Sequence, residues 1–272
     1  MYKNDDFRVP LSFSDDWGHG QLEYEEMNDA WLISAEKSGC SYEETDLELA
    51  AIYKAIPLEG LLLDVAGHYG TLRKQAHISV ENYVSVDTMR VDIDYLALNS
   101  PRFFTHYGLE TPFTRVQAHA EFLPFSECTF DVVHMRSCLD HFAAPQIALL
   151  EAYRVLRPGG RLVVGIALEG AYRIYVDQGV GNANLIPRVT ETLKNRIRRS
   201  EPAYSAVRSI KSRLGLGEHD HHSFHPTHES LIRLITSSGF KVTQEVWQAE
   251  YHGVIYIEAE KLEATDLTHG IH

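Results

Sequence analysis

The stretch LLLDVAGHYG at residues 61–70 is an apolar run that leads into a turn with two glycines. A short apolar run of this kind is typical of a strand that is buried on both faces, as in a parallel sheet. Small residues in the turn let the backbone approach a ligand closely, and the helix expected after the turn points its N-terminus at the same place. Residues 61–70 therefore predict a strand followed by a ligand-binding turn.

Similar short apolar stretches recur along the chain, each bounded by turn residues and separated by helical patterns. They lie at Tyr83–Asp87, about 114–118, Phe130–Met135 and Gly160–Ala167. Strands that alternate with helices predict parallel β-α-β units, and so an α/β fold with a Rossmann-like, doubly wound sheet. A helix is expected over residues 45–56, with Thr45 and Glu48 as a capping box.

The end of the chain follows a different pattern. Two extended stretches, Lys241–Ala249 and Gly253–Glu260, are separated by only three residues, which predicts an antiparallel hairpin. A helix over His228–Ser238, capped by Thr227, is expected just before it. The predicted fold is thus a parallel sheet finished by an antiparallel C-terminal hairpin.

Composition narrows the function classes. The 272 residues are 44% hydrophobic and 23% charged, with a net charge of −13, so a basic nucleic-acid groove is not expected. The three cysteines are too few for a disulfide framework. No apolar run approaches the ~18 residues of a membrane span, and residues 1–6 lack the pattern of a signal peptide. We therefore expect a cytoplasmic protein without a nucleic-acid partner and without a membrane span. Its oligomeric state stays open.

The second strand ends at Asp87, one β-α-β step after Asp64. A carboxylate there can accept two hydrogen bonds from ribose hydroxyls, although a strand-end aspartate is also common as a cap or turn residue. The turn after the first strand lacks the Gly-x-Gly-x-x-Gly pattern of dinucleotide sites. Together, the glycine-containing turn and Asp87 favour a nucleoside-bearing cofactor other than a dinucleotide.

Two later motifs complete the pattern: AHAEFLPF at residues 118–125 with FDVVH at 130–134, and EAYRVLRPGGRL at 151–162. In combination with residues 61–70 they resemble the class I S-adenosylmethionine-dependent methyltransferases, in the branch that mostly methylates small molecules. The resemblance covers roughly residues 45–167 and 229–260. It implies a seven-stranded sheet with a reversed last strand, S-adenosyl-L-methionine as cofactor, and O- or N-methylation of a small-molecule, sugar or lipid-linked acceptor. The alternative is a non-methylating S-adenosylmethionine-binding protein with a regulatory role or a different reaction.

The resemblance also implies a set of cofactor-binding residues. They are Asp64, Ala66, Gly67, His68 and Gly70 in the first turn, Asp87 and Thr88 after the second strand, His119, Ala120 and Glu121 after the third, and Met135 and Arg136 at the end of the fourth. Asp87 would hold the ribose, Ala120 the adenine edge, and Met135 and Arg136 the methionine part. The family usually has glycine at the positions of Ala66 and His68 and an acidic residue at that of His119, so an altered binding geometry is expected.

Histidines are the candidate catalytic bases, because imidazole accepts a proton near neutral pH. His141 follows the fourth strand, and His222 and His225 belong to the decapeptide HDHHSFHPTH at residues 219–228. For His141 the alternative is a packed residue at a helix start that Asp140 caps. For the decapeptide, metal ligation, base catalysis and a solvated role all stay open, and no metal ligand is assigned.

Two segments lie outside the predicted core of residues 45–167 and 229–262. They are an acidic cap, residues 1–44, and a lid insertion, residues 168–228. Residues 1–50 carry a net charge of −10 and residues 188–213 a net charge of +6, with an amphipathic helix expected over 188–200. The basic segment either neutralises the acidic one or receives an anionic acceptor.

Overall fold

A computed structural model describes residues 32–39, 41–89, 91–168, 222–248 and 253–262. They form a sheet of seven strands in the order β3-β2-β1-β4-β5-β7-β6. The strands are β1 (Leu62–Val65), β2 (Tyr83–Asp87), β3 (Thr114–Gln117), β4 (Phe130–Arg136), β5 (Leu156–Ala167), β6 (Phe240–Trp247) and β7 (Val254–Lys261). The predicted α/β fold with a seven-stranded sheet is confirmed.

Strands β1 to β5 run parallel, and the order of the sheet reverses at β1. In the register, Val65 at the end of β1 lies beside Val86 of β2 on one side and Met135 of β4 on the other. The carboxyl ends of three strands therefore meet at one edge. In doubly wound sheets the crevice at such a reversal is where ligands bind.

Strand β7 runs antiparallel to both of its neighbours, β5 and β6. Ile166 of β5 pairs with Ile255 of β7, and Trp247 of β6 pairs with the same residue from the other side. The predicted C-terminal hairpin is thus present, and its second strand is the one that joins the parallel part of the sheet.

Residues 32–38 are helical and are called α1. The later helices are α2 (Glu43–Ala55), α3 (Leu72–Gln75), α4 (Ile93–Asn99), α5 (Pro101–His106), α6 (Pro145–Val155) and α7 (His228–Ser237). The capping box predicted at Thr45 is wrong: α2 begins at Glu43, so Thr45 lies inside its first turn. The predicted cap of α7 is confirmed, because Thr227 and Ser230 form a capping box.

Helices cover both faces of the sheet, which is why the residues of its central strands are almost all buried. One face packs Leu63, Val133 and Met135 against the buried sides of α6 and α7. The opposite face packs Leu62 and Val132 against α2. Successive residues of β1 and β4 are therefore buried on alternate faces, as the pleat of a strand requires.

The acidic cap and the lid insertion fall mostly outside the described residues, and the expected helix over 188–200 does so entirely. Their boundaries, and the pairing of the two charged segments, stay predictions. Within the described ranges, every helix is too short or too polar to cross a bilayer.

Candidate active site

A cavity of about 450 Å³ opens at the carboxyl ends of β1, β2 and β4, a volume typical of small-molecule sites. Its wall includes ten of the twelve residues that the sequence indicated for the cofactor. They are Asp64, Ala66, Gly67, His68, Asp87, Thr88, His119, Ala120, Glu121 and Arg136. The structure thus gathers into one cavity residues from four separate parts of the sequence.

The turn after β1 keeps a glycine-like backbone at positions that are not glycine. Ala66 has φ +54° and His68 has φ +47°, both in the left-handed region that favours glycine. Between them, a Cβ on Gly67 would lie 2.4 Å from the Ser85 hydroxyl oxygen. The turn therefore packs tightly on β2 in the conformation that a glycine motif would adopt, and the expected altered geometry lies in side chains and not in the backbone.

Two of the predicted cofactor residues do not line the cavity. Gly70, with φ +80°, brings the chain so close to Phe113 that a Cβ would lie 2.2 Å from the ring. Met135 is fully buried in the core cluster that includes α6. The placement of Met135 at the cofactor is wrong because side chains alternate along β4, so that His134 and Arg136 face the cavity instead.

Asp87 holds the turn and faces the cavity at once. Its Oδ2 accepts a hydrogen bond from the His68 N–H at 2.9 Å, and its Oδ1 accepts one from the Met89 N–H at 2.8 Å. An ionised carboxylate has about four acceptor positions, so two backbone bonds leave capacity for two ribose hydroxyls. The arrangement fits a nucleoside-bearing cofactor.

The floor of the cavity is a buried polar cluster around Asp64. The Asp64 carboxylate contacts His134 Nδ1 at 2.8 Å and also accepts a hydrogen bond from the Tyr83 hydroxyl, while His134 Nε2 lies 3.1 Å from the Tyr53 hydroxyl. Burial raises the pKa of both tyrosines well above the ordinary value of 10.0, so both remain protonated donors at neutral pH. Asp64 is thereby held in place by side chains from β4 and β2, and His134 in turn is held by Tyr53 of α2.

His134 was missed from the sequence because it stands in the middle of an apolar strand. Its register partner on β1 is Asp64, and the two side chains face the same side of the sheet. A search for polar residues at matching positions on neighbouring strands could have found it. Arg136, two residues further on the same face, donates a hydrogen bond to the Gln75 side chain at 2.8 Å.

The three histidines predicted as catalytic lie close together, and one of them is in the wall of the cavity. His141 lines the cavity, its ring centroid lies 4.6 Å from that of His222, and His222 lies 5.3 Å from His225. Asp140 and His141 belong to a short 3-10 turn, Leu139–His141, and α6 begins only at Pro145 after Ala144 as N-cap. The interpretation of Asp140 as a helix cap is therefore wrong. The catalytic role of the histidines stays a prediction.

Known proteins resemble this chain in sequence over the same region. Residues 63–164 match the family described as methyltransferase domain. The ubiquinone/menaquinone biosynthesis C-methyltransferase UbiE of Blochmanniella floridana is 32% identical over 130 residues, 47% of this chain and 45% of that protein. UbiE of Vibrio parahaemolyticus is 28% identical over 195 residues, 67% of this chain and 65% of that protein. The matched region thus spans less than two thirds of either relative.

Solved structures share the fold. A methyltransferase of Thermotoga maritima, described as a possible histamine N-methyltransferase, has a TM-score of 0.51 at 18% identity, covering 90% of this chain and 99% of that one. A SAM-dependent methyltransferase of Aquifex aeolicus has a TM-score of 0.50 at 14% identity, covering 85% and 98%. The cofactor of this family, S-adenosylmethionine, suits the cavity, the acceptor capacity of Asp87 and the glycine-like turn. Residues 63–164 of this chain therefore form a methyltransferase domain, and its fold is that of the S-adenosylmethionine-dependent methyltransferases.

Proposed function

We propose that the protein transfers a methyl group from S-adenosylmethionine to an oxygen or nitrogen of a small-molecule, sugar or lipid-linked acceptor. The observation that carries the proposal is the cavity itself. Ten residues indicated for the cofactor line it, and a predicted catalytic histidine, His141, lies in the same wall. Cofactor and acceptor would meet inside one cavity. The UbiE relatives are named as C-methyltransferases, so carbon is the other acceptor atom to test.

Different residues of the cavity would bind different parts of the cofactor. Asp87 would bind the ribose hydroxyls, and the backbone of Ala120 would border the adenine. Arg136, always protonated, lies at the inner end beside the buried Asp64 cluster, where it would attract the carboxylate of the methionine part. S-adenosylmethionine, when bound, supplies a methyl group on a positively charged sulfur.

The acceptor would enter at the end of the cavity where the three histidines lie. Methyl transfer from an activated donor needs chiefly an aligned nucleophile and, for a hydroxyl, the removal of its proton. His141, His222 and His225 are the imidazoles placed to take that proton. An anionic acceptor, suggested by the basic segment at residues 188–213, stays one alternative.

The cofactor half of the proposal is tested by calorimetry with S-adenosylhomocysteine, the demethylated product. Asp87→Asn keeps the size of the side chain but replaces an acceptor with a donor that faces other donors. We expect a loss of about 1–3 kcal/mol, roughly 10- to 100-fold in affinity. Asp94→Asn, an exposed aspartate on α4, is the matched control and should bind like the wild type. Equal affinity of Asp87→Asn and wild type would remove Asp87 from the site.

The transfer half is tested by incubating the protein with methyl-labelled S-adenosylmethionine and fractionated cell extract. We expect label in a small-molecule fraction with the wild type, and much less with Asp87→Asn. Binding of S-adenosylhomocysteine without any labelled product would instead favour a cofactor-binding protein that does not methylate.

A further inference from the structure

Asp140, His141 and His222 form a compact group of metal-ligating side chains beside the cofactor cavity. Among the described residues their ligand atoms all lie within 4.8 Å of one another. Asp140 Oδ2 is 3.7 Å from His222 Nε2, and Asp140 Oδ1 is 4.0 Å from His141 Nε2. Both distances are longer than a hydrogen bond.

These separations suit ligands of a shared ion. Nitrogen and oxygen ligands of zinc lie about 2.0–2.2 Å from the metal, so two ligands at the tetrahedral angle stand about 3.3–3.6 Å apart. The two Asp140 distances, 3.7 and 4.0 Å, exceed this separation by less than about 1 Å. A pair at the 4.8 Å limit would have to close by roughly 1.2–1.5 Å, which side-chain rotation can supply.

The group is also sheltered and firmly connected. The Asp140 side chain is 1% exposed, that of His222 8% and that of His141 12%. The Ser223 hydroxyl donates to the Asp140 carbonyl oxygen at 3.0 Å, so the chain segment that carries His222 is tied to the turn that carries the other two side chains.

We propose that Asp140, His141 and His222 bind a divalent transition-metal ion of the zinc type. Two imidazoles and one carboxylate are a ligand set that suits such ions and leaves a coordination position open. His141 lines the cofactor cavity, so the open position is at the acceptor end.

The role of this ion rests on the proposed function. There it would coordinate an oxygen of the acceptor, orient it and lower the pKa of a hydroxyl, so that the proton is lost more readily to a nearby base. His141 and His222 would act as ligands, and His225, next to His222, would remain as the candidate base.

The test is a titration of the chelator-treated full chain with Zn²⁺ by calorimetry, supported by the visible spectrum of the Co²⁺ form. We expect one tight site per chain and a Co²⁺ spectrum of low-symmetry coordination. Asp140→Asn keeps every histidine of the decapeptide, and it should weaken Zn²⁺ binding by at least roughly 10- to 100-fold. His222→Gln is the second variant and should weaken binding similarly.

The matched control is His77→Asn, which removes an exposed histidine at a position with φ +54° that asparagine tolerates. It should bind Zn²⁺ like the wild type. Wild-type affinity in both Asp140→Asn and His222→Gln would show that Zn²⁺ sits on other histidines, and no Zn²⁺ binding would also overturn the proposal. Calorimetry with S-adenosylhomocysteine, on the same variants without metal, shows that they are folded and reports separately on the cofactor site.

Discussion

Ala66 and His68 show how a glycine-like turn survives without glycine. Both residues have left-handed φ angles, +54° and +47°, a conformation that costs an L-residue about 1–2 kcal/mol. The surroundings impose this conformation: the His68 N–H is held by the Asp87 carboxylate, and Gly67 packs on Ser85. Because Ala66 and His68 stand where glycine would be favoured, they add strain to the turn. The path of the backbone is still the one that glycine would adopt.

Ala66→Gly should remove this strain. Relief of about 1–2 kcal/mol is opposed by the roughly 0.5–1 kcal/mol that glycine costs in chain entropy, so the free energy of unfolding should rise by about 0–1.5 kcal/mol. Ala66→Val should lower it by about 1–3 kcal/mol, because a branched side chain fits this region poorly. Urea denaturation measures both.

Ala51→Gly, at an exposed position inside α2, is the control for the glycine substitution. There the backbone is helical, and the variant should lose about 1 kcal/mol. If Ala66→Gly lost as much stability as Ala51→Gly, the left-handed strain at Ala66 would be refuted.

Helix α6 positions the loop over residues 118–125, which lines part of the cavity. Glu151 accepts a hydrogen bond from the Leu123 N–H at 2.8 Å, and Arg154 donates to the carbonyl oxygens of Leu123 and Phe125 at 2.9 and 2.7 Å. Glu121 of the same loop accepts from the Ala144 N–H at the start of α6. The motif at residues 151–162 and the motif at 118–125, far apart in sequence, are thus one structural unit.

Glu151→Gln should weaken this unit in a pH-dependent way. The hydrogen bonds from Arg154 lower the pKa of Glu151 below its ordinary value of 4.5. A lowered pKa in the folded state contributes stability above the unfolded value, and this contribution is lost as the pH falls through the folded value. The variant should be less stable by about 1–2 kcal/mol at pH 7, and the difference should shrink below about pH 4.5.

Urea denaturation at a series of pH values measures the effect. Glu229→Gln is the control, since Glu229 forms an exposed i,i+4 pair with Arg233 on α7, and such pairs contribute only about 0.3–0.5 kcal/mol. A difference between wild type and Glu151→Gln that stays constant from pH 7 to pH 3 would contradict the assigned ionisation.

At the scale of the whole molecule, β7, the last of the described strands, contacts both β5 and α2. Tyr256 of β7 pairs with Gly165 of β5, and its buried ring meets the Tyr53 ring of α2 edge-on at a centroid distance of 6.1 Å. A Cβ on Gly165 would lie 2.5 Å from the Tyr256 ring. Glycine at 165 is thus what lets the ring lie flat across β5 and reach α2.

Gly165→Ala should therefore lower the free energy of unfolding by about 1–3 kcal/mol, the usual cost of overpacking a core. In a Tyr256→Leu background the ring is gone and the added methyl group has room, so the same substitution should cost less. The difference between the two backgrounds is the coupling energy of a double-mutant cycle. Strictly additive effects would show that the ring is not what excludes a side chain at 165.

Local sequence was sufficient for the strands, the hairpin and the cap of α7. An apolar run between turn residues at Leu62–Val65, or a threonine three residues before Ser230, carries its own structural preference through hydrophobic burial and backbone hydrogen bonding. The predicted cofactor residues Asp64 and Asp87 could be indicated in the same way, since Asp64 is next to last in β1 and Asp87 is last in β2, and the carboxyl ends of parallel strands meet at one edge.

Pairing between distant segments decided the rest. Met135 points into the core because side chains alternate along β4 and α6 covers that face, and the register of β4 on β1 sets His134 against Asp64. His141 and His222 are 81 residues apart in sequence, and only the docking of the segment before α7 onto the turn after β4 brings their rings to 4.6 Å. Such contacts depend on how segments that are distant in sequence pack against one another in the core, and no local pattern of residues carries that information.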